Sequence, residues 1–241
     1  IVHDWSQDRL EAAKMAANGL LISNHSYGIK PDKLPNWYFG NYLPMSEKWD
    51  EIMSLAPYYL SVIASGNSQN KNHNEAPLFG SSEDGWDVLL GAALTKNGIT
   101  VAAAHTEMNF NGVLTNAQVA PYSSLGPTDD GRIKPDIAFD GNAIYAPSGP
   151  GTKDYSVSSG TSMATAKVSG FLLLLQHYYK ERYQHYLKAA SIKGLALHTA
   201  DDVGDKGPDY KMGWGVLNTA RAVASIRNMG YSTLIVEDTL L

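Results

Sequence analysis

The segment from Thr161 to Tyr183 restricts the possible folds more than any other part of this 241-residue sequence. It contains no proline and one glycine, Gly170, and its apolar residues continue round most of a helix surface. They are Met163, Val168, Phe171, Leu172, Leu173, Leu174 and Leu175. A helix that is apolar on nearly all sides needs cover on nearly all sides. The sequence therefore predicts a long, centrally buried helix, with another backbone packed closely against Gly170.

Short apolar runs alternate with helical patterns along the rest of the chain. Strands are predicted at 20–23, 59–64 and 99–104, with shorter candidates at 119–123 and 137–139, and further helices at 8–18, 46–55, 189–198 and 217–226. Strands that alternate with helices in this way form a parallel sheet covered by helices. No linker interrupts the pattern. We expect an α/β fold in which residues 1–241 form a single domain.

Composition excludes several classes of function. The net charge is −5, and no basic cluster marks a nucleic-acid binder. The longest unbroken apolar run, 171–175, is far shorter than the ~20 residues that span a bilayer. Because there is no cysteine, disulfides, thiolate metal sites and a cysteine nucleophile are excluded. The first residues contain neither Met nor a leader pattern, so we expect the sequence to begin within a longer protein.

A serine stands where a loop enters the long helix, in the sequence Gly-Thr-Ser-Met-Ala at 160–164. The backbone N–H groups at a helix start have no intrahelical acceptor, and the helix dipole favours negative charge there. Ser162 is therefore suited either to cap the helix or to attack a carbonyl group next to an oxyanion site.

Five segments in a fixed order resemble the subtilisin-like serine proteases, the subtilases. Residues 160–164 resemble the nucleophile signature of that family, and 122–136 the stretch before it. Residues 64–67 are similar to its oxyanion segment, and 23–28 to the strand that lines its substrate cleft. Residues 198–218 resemble its C-terminal segment. The resemblance therefore extends over most of the chain.

The resemblance implies a three-layer αβα fold with a parallel sheet, here only in part, and a polypeptide substrate. It makes Ser162 the nucleophile and the side-chain amide of Asn67 an oxyanion donor, together with the Ser162 backbone N–H. The walls of the cleft would be Ser26, Tyr27 and Gly28 on one side and Ala64, Ser65 and Gly66 on the other. A secreted or cell-envelope location is also implied.

The base that a serine nucleophile needs is not apparent in this sequence. The family supplies it from a His-Gly segment, oriented by an Asp-Ser/Thr-Gly segment. None of the seven histidines precedes glycine, and no Asp-Ser/Thr-Gly occurs. We therefore expect the first strands of the family sheet to be absent and the chain alone to be inactive. The strand at 20–23 would then have an unpaired edge, so we expect self-association, or a complementary N-terminal fragment, with 18–28 at the contact.

Three alternatives remain beside this hypothesis. The chain is a non-catalytic peptide-binding module if the whole protein lacks the base. An α/β-hydrolase needs an acid and then a histidine after the serine, but the first aspartate after Ser162 is Asp201 and the last histidine is His198. His25, beside a cleft motif, is either a substitute base or a packing residue.

The chemistry of a serine protease requires no cofactor, and no catalytic metal ligands are assigned. An acidic loop offers the oxygen ligands that calcium prefers, and subtilases often carry structural calcium. Its aspartates are Asp201, Asp202, Asp205 and Asp209. Their spacing is irregular and no glutamate closes the set, so a solvated loop is the alternative.

Overall fold

Helix α3 (Thr161–Tyr183) packs against one face of the central sheet in the computed structural model, which describes residues 5–71, 73–78, 80, 84–149, 151 and 153–238. Its bounds are those predicted. Val168, Leu172 and Leu175 are fully buried on the sheet side. The expected burial on all sides is wrong, because Leu173 and Leu174 are 53% and 61% exposed.

The prediction for Gly170 is also wrong. This glycine is exposed, and a Cβ atom built on it would meet nothing within 4 Å. The sheet covers one side of α3, and helices α4 (Ala189–His198) and α5 (Thr219–Arg227) contact it as well. The face that carries Gly170 therefore lies outside these contacts.

The sheet contains four parallel strands in the order β1 (Ile22–His25), β2 (Leu60–Ala64), β3 (Ile99–Met108) and β5 (Ile137–Asp140). Val101 of β3 lies opposite Ala64 on one side and Ile137 on the other, which fixes this order. Within the described part of the chain, β1 pairs with β2 alone and forms an edge. The parallel α/β architecture is confirmed, although β1 begins two residues later than predicted.

Strand β4 (Leu114–Val119) replaces the strand predicted at 119–123. It returns antiparallel along the second half of β3, with Ala104 opposite Val119. The turn between the two strands is held by Asn109, whose side-chain oxygen accepts hydrogen bonds from the backbone N–H groups of Asn111 and Val113. Strand β3 extends four residues past Ala104 before the chain turns. Strand β4 therefore pairs with this extension through residues that precede the predicted strand at 119–123.

Two helical layers enclose the sheet. Helices α1 (Asp8–Ala17) and α2 (Pro44–Leu55) cover one face, where Trp49, Met53 and Tyr59 form a small core. The larger core lies on the α3 side. Helix α2 begins at Pro44 and not at Ser46, whose hydroxyl donates instead to the backbone oxygen of Gly91 at 2.8 Å. Proline suits a first helical turn because the N–H that it lacks has no acceptor there.

A two-stranded antiparallel ribbon, β6 (Ile144–Pro147) and β7 (Tyr155–Ser158), precedes α3 and was not predicted. Its base is fixed to the start of α3, because the Ser159 hydroxyl accepts from the Ala143 N–H at 2.9 Å and the Gly160 N–H donates to the Gly141 oxygen at 2.9 Å. The ribbon thereby sets the direction in which the chain reaches Ser162. Among the described helices, none is both long and apolar enough to cross a membrane.

Candidate active site

A cavity of about 450 Å³ opens where β1 and β2 end and α3 begins. The carboxyl ends of neighbouring parallel strands meet at one edge of a sheet, so the segments after β1 and β2 lie side by side. All eight predicted site residues line this cavity. They are Ser26, Tyr27, Gly28, Ala64, Ser65, Gly66, Asn67 and Ser162.

Ser162 is the second residue of α3 and is bonded to the strand end across the cavity. Its hydroxyl donates to the backbone oxygen of Ser26 at 3.1 Å, and the Ser26 hydroxyl donates to the backbone oxygen of Ser162 at 3.0 Å. The Ser162 N–H belongs to the first helical turn, where backbone donors have no intrahelical acceptor. A hydroxyl and a backbone donor of one residue thus stand at the positive end of a helix.

The orientation of the Asn67 side chain is fixed by Thr161. The Asn67 Oδ1 atom accepts from the Thr161 backbone N–H at 2.9 Å and from the Thr161 hydroxyl at 3.0 Å. A backbone N–H only donates, so the atom facing it must be the amide oxygen. Asn67 Nδ2, for which no acceptor exists in the described ranges, is therefore the end that is left to donate to a ligand.

Thr161 connects the two segments that form the oxyanion side of the cavity, a role that the sequence patterns did not indicate. It is fully buried, and its hydroxyl oxygen also receives a hydrogen bond from the Gly66 N–H at 3.3 Å. The available signal was its place directly before the serine, because a hydroxyl there reaches back across the start of the helix. Gly160, one residue earlier, is also a neighbour of Asn67: a Cβ built on it would stand in ordinary contact, 3.4 Å from Asn67 Nδ2.

Gly66 holds a backbone conformation that other residues rarely adopt. Its φ is +112°, and a Cβ would come within 2.7 Å of the Ser124 hydroxyl oxygen. That hydroxyl accepts from the Ser68 N–H at 3.1 Å, and the Ser124 N–H donates to the Gly66 oxygen at 2.9 Å. The glycine therefore lets residues 122–136 support the loop that carries Asn67.

The cavity is also lined by apolar side chains from four separate segments, and none of these residues was predicted as part of a site. They are Ile29, Met45, Trp49, Ile63, Val88 and Leu90. Only the tertiary fold brings them together, since they come from the loop after β1, helix α2, strand β2 and the loop before β3. This wall can hold an apolar side chain of a ligand.

His25 lies in the cavity wall without contacting the nucleophile. Its ring packs edge-on against Trp49, with centroids 4.6 Å apart, and burial lowers its pKa to about 4, although the negative charge of Asp8 opposes the shift. The two ring nitrogens are 2.6 Å from the Ser23 hydroxyl and 2.7 Å from the Tyr27 hydroxyl. Throughout the described chain no histidine is hydrogen-bonded to Ser162, so the geometry favours packing for His25 over a role as its base.

Three of the four aspartates in the acidic loop accept hydrogen bonds from nearby protein groups. Asp201 is bonded to Asn218 and Arg221, while Asp202 accepts from the Gly207 N–H and Asp209 from the Lys211 and Met212 N–H groups. Among the described residues, no three acidic or histidine side chains converge as metal ligands would. Oxygens of these three aspartates thus accept hydrogen bonds from protein donors, and a calcium ion at this loop stays a prediction.

Comparisons with known proteins agree with this geometry. Pyrolysin from Pyrococcus furiosus is 33% identical over 131 residues, which cover 52% of this chain and 9% of that protein. Subtilisin-like protease SBT3.2 from Arabidopsis thaliana is 28% identical over 207 residues, 76% of this chain and 27% of its own length. The chain therefore spans about a quarter or less of these two relatives.

Solved structures show the same fold. The prenylagaramide maturation protease PagA has a TM-score of 0.64 at 21% identity, and a lanthipeptide protease has 0.64 at 18%. Each match covers 92% of this chain, and it covers 68% and 66%, respectively, of the two solved chains. The family model for the subtilase family matches residues 5–215. This match includes the cavity, the strands that form it and the helix that begins at Ser162, and the chain belongs to the subtilase family.

Proposed function

We propose that this chain is the nucleophile-bearing part of a subtilisin-like serine endopeptidase. The Ser162 oxygen attacks the carbonyl carbon of a peptide bond, and the hydroxyl proton passes to a base outside this sequence. Asn67 Nδ2 and the Ser162 N–H stabilise the oxyanion. The C–N bond then breaks, the amine takes up the proton, and water later hydrolyses the acyl-enzyme on Ser162. The observation that carries the proposal is the orientation of Asn67, whose oxygen is occupied by Thr161 beside the serine.

A polypeptide substrate would lie extended between the two cleft segments. Residues 26–28 and 64–66 both line the cavity, and in the proposal a peptide pairs with their backbone as an added strand. Gly28 supports this reading, because a Cβ built on it would meet nothing within 4 Å. All groups that the reaction uses are protein groups, so the proposed chemistry needs no cofactor.

In this proposal the chain alone is close to inactive. Removing the serine or the histidine from a subtilisin costs roughly 10⁶-fold in rate, while roughly 10³- to 10⁴-fold over water remains from the oxyanion hole and binding. We expect a rate of that low order for the isolated chain. Hydrolysis at ordinary protease rates that is lost in Ser162→Ala would mean that the chain contains a base.

The second candidate is a peptide-binding module without catalysis. It is favoured by one contact: the Ser162 hydroxyl donates to a backbone oxygen and not to a base. The complete coding sequence separates the two functions, since a protease needs an Asp-Ser/Thr-Gly and a His-Gly segment elsewhere in the protein. A secreted or cell-envelope location belongs to the same proposal, as does association with a complementary N-terminal fragment or a second copy.

A boronic acid tests the site without requiring the base. We would add an acetylated alanine dipeptide that ends in a phenylalanine boronic acid at pH 8 to the 241-residue chain. The boron accepts a lone pair from the Ser162 oxygen, the hydroxyl proton goes to solvent, and a tetrahedral boronate results. Boron-11 NMR reports this change, and titration calorimetry gives the affinity.

We expect Ser162→Ala to abolish the tetrahedral signal and Asn67→Ala to weaken binding by about 100-fold, the usual effect of losing one oxyanion donor. Ser156→Ala is the matched control, because Ser156 is an exposed serine of β7 that does not line the cavity. This variant should leave the affinity unchanged. Equal binding by the chain and Ser162→Ala would refute the assignment of the nucleophile.

A further inference from the structure

Strand β1 separates two sets of side chains onto opposite faces. Ile22, Asn24 and Ser26 face α3: Ile22 packs on the larger core, Asn24 accepts from Ser169, and Ser26 is bonded to Ser162. Ser23, His25 and Tyr27 face the other helical layer, as the two-residue period of a strand requires. The second set is polar although it lies beside the small core formed around Trp49.

These three residues form part of a continuous chain of hydrogen bonds with Asp8 of α1 and Tyr59. The Tyr27 hydroxyl donates to Asp8 Oδ2 at 2.9 Å, and the Ser23 and Tyr59 hydroxyls are 2.7 Å apart. Burial and the bond to Asp8 raise the pKa of Tyr27, so its phenol stays protonated. Asp8 of α1 and Tyr59, which directly precedes β2, are thereby connected through Ser23, His25 and Tyr27.

The direction of every bond follows from the single proton of the Tyr27 hydroxyl. Because that proton is given to Asp8, Tyr27 can only accept from His25 Nδ1, which must carry a hydrogen. The imidazole is neutral, so its Nε2 accepts from the Ser23 hydroxyl, and Ser23 in turn accepts from Tyr59. All the donors point toward the carboxylate of Asp8, and hydrogen bonds aligned in this way strengthen one another.

We propose that Asp8 and His25 are positioning residues for the active site: through Tyr27 they fix the end of β1, and so hold Ser26 where it orients Ser162. Tyr27 is the neighbour of Ser26, and both Tyr27 and His25 line the cavity, although His25 is almost fully buried. The positioning role of Asp8 and His25 in catalysis rests on the function proposed above. The geometry of the network stands independently of that function.

Nitrogen-15 NMR of histidine-labelled chain tests the geometry directly. At pH 7 we expect His25 to be neutral, with a hydrogen on Nδ1 and none on Nε2. In Tyr27→Phe the acceptor of Nδ1–H is lost, and we expect the ring to shift measurably toward the Nε2–H form. An unmodified chain with His25 charged, or with its hydrogen on Nε2, would overturn the proposal even if no variant folded.

Boronic acid affinity tests the positioning. Tyr27→Phe removes one oxygen and keeps the ring, and we expect roughly tenfold weaker binding, because small displacements of reacting groups cost up to about 100-fold. Tyr42→Phe is the matched control: its hydroxyl also donates to an aspartate, Asp50, at 2.8 Å, but outside the cavity. We expect it to bind like the unmodified chain.

Equal affinities of the two phenylalanine variants and the unmodified chain would overturn the positioning role, as would equal losses in both variants. Asp8→Asn supplies a second variant, since its amide oxygen still accepts from Tyr27; we expect it to retain most of the affinity that Asp8→Ala loses. If the unmodified chain fails to bind through Ser162, the proposed function fails, and the NMR result still decides whether the network exists.

Discussion

Ser26 and Ser162 exchange two hydrogen bonds, each hydroxyl donating to the backbone oxygen of the other residue, although 136 positions separate them in the chain. The pair joins the end of an edge strand to the first turn of α3. The chain neighbours of these two serines, Thr161 and Tyr27, belong to two separate hydrogen-bond networks. Thr161 orients Asn67 on one side, and Tyr27 leads to His25 and Asp8 on the other.

Replacement of Thr161 by valine tests the oxyanion side. Thr161→Val keeps the shape but removes the hydroxyl that binds Asn67 and Gly66, so we expect boronic acid affinity to fall about tenfold. Thr165→Val is the matched control, because Thr165 is also buried in α3 and its hydroxyl donates only to the Thr161 backbone oxygen, at 2.6 Å. Calorimetry that finds the same affinity in both variants would contradict the role of Thr161.

The buried imidazole of His25 makes stability depend on pH. Its pKa falls from 6.5 when unfolded to about 4 when folded, so between these values the unfolded chain binds a proton that the folded chain does not. The contribution is fully present above pH 6.5 and is lost as the pH falls toward 4. The loss at pH 5 is about 2 kcal/mol relative to pH 7.

Urea unfolding of the chain and of His25→Gln at both pH values measures this contribution. Glutamine does not titrate, so the difference in unfolding free energy between the two proteins should narrow by that amount at pH 5. A difference that stays constant from pH 7 to pH 5 would show that His25 titrates alike in both states.

Asp87 has the opposite dependence. Burial raises its pKa from 3.8 to about 6, with Asp129 adding to the shift, and its Oδ1 atom has no hydrogen-bond partner in the described structure. The charged form is therefore penalised above pH 6, and stability is regained as the pH falls from 6 toward 3.8. We expect Asp87→Asn to raise the unfolding free energy at pH 8 by up to about 3 kcal/mol.

Asparagine suits this position for a second reason, because the φ of Asp87 is +57° and asparagine tolerates that region. Asp205→Asn, at an exposed aspartate, is the control for the loss of one charge. The urea midpoint should rise for Asp87→Asn at pH 8 and change little at pH 4. A midpoint that rises equally at both values would rule out relief of a buried charge.

Self-association is expected from two features of the described chain. Strand β1 pairs with β2 alone among the described strands, and Leu173 and Leu174 are exposed on α3. Light scattering should give a mass above that of one chain at micromolar concentrations, and Leu174→Lys should lower it. Leu78→Lys is the control, because Leu78 is 65% exposed in a loop between β2 and β3.

Hydrogen exchange locates the contact. The amides of Leu21 and Ile22 should exchange more slowly as the concentration of the chain rises. A monomer at every concentration with both amides strongly protected would contradict the expectation, because a segment of the same chain would then be covering the edge.

Local signals were enough for some elements. Helices α3 and α4 have the predicted bounds, since each carries a continuous apolar pattern that no proline interrupts. The ribbon β6–β7 escaped prediction because Tyr145, Tyr155 and Val157 form an exposed face, so no buried side creates a clear alternation. The apolar wall of the cavity could not be predicted from the sequence either. Its residues, such as Trp49 and Val88, are distant in sequence and only the folded chain brings them to one cavity.

That the candidate site residues share one cavity was predictable for a different reason. The motifs around Asn67 and Ser162 are short and continuous, and their order along the chain carried the resemblance. The network behind Tyr27 had no such signal, because Asp8 and Tyr59 are distant in sequence and neither belongs to a motif. The same limit applies to α3, whose composition suggested burial on all sides but contains no information about which neighbours are present.

The two-faced pattern of β1 also determines where the chain can change in length. Removal of one residue just before Ser23 would shift the register of the strand and turn His25 toward α3 and Ser26 toward Trp49. Both networks would be lost in a single event, although no residue within them had been substituted. The loop that joins β1 to α2 carries no such periodicity, so related chains can differ there in length while keeping the same four-residue strand.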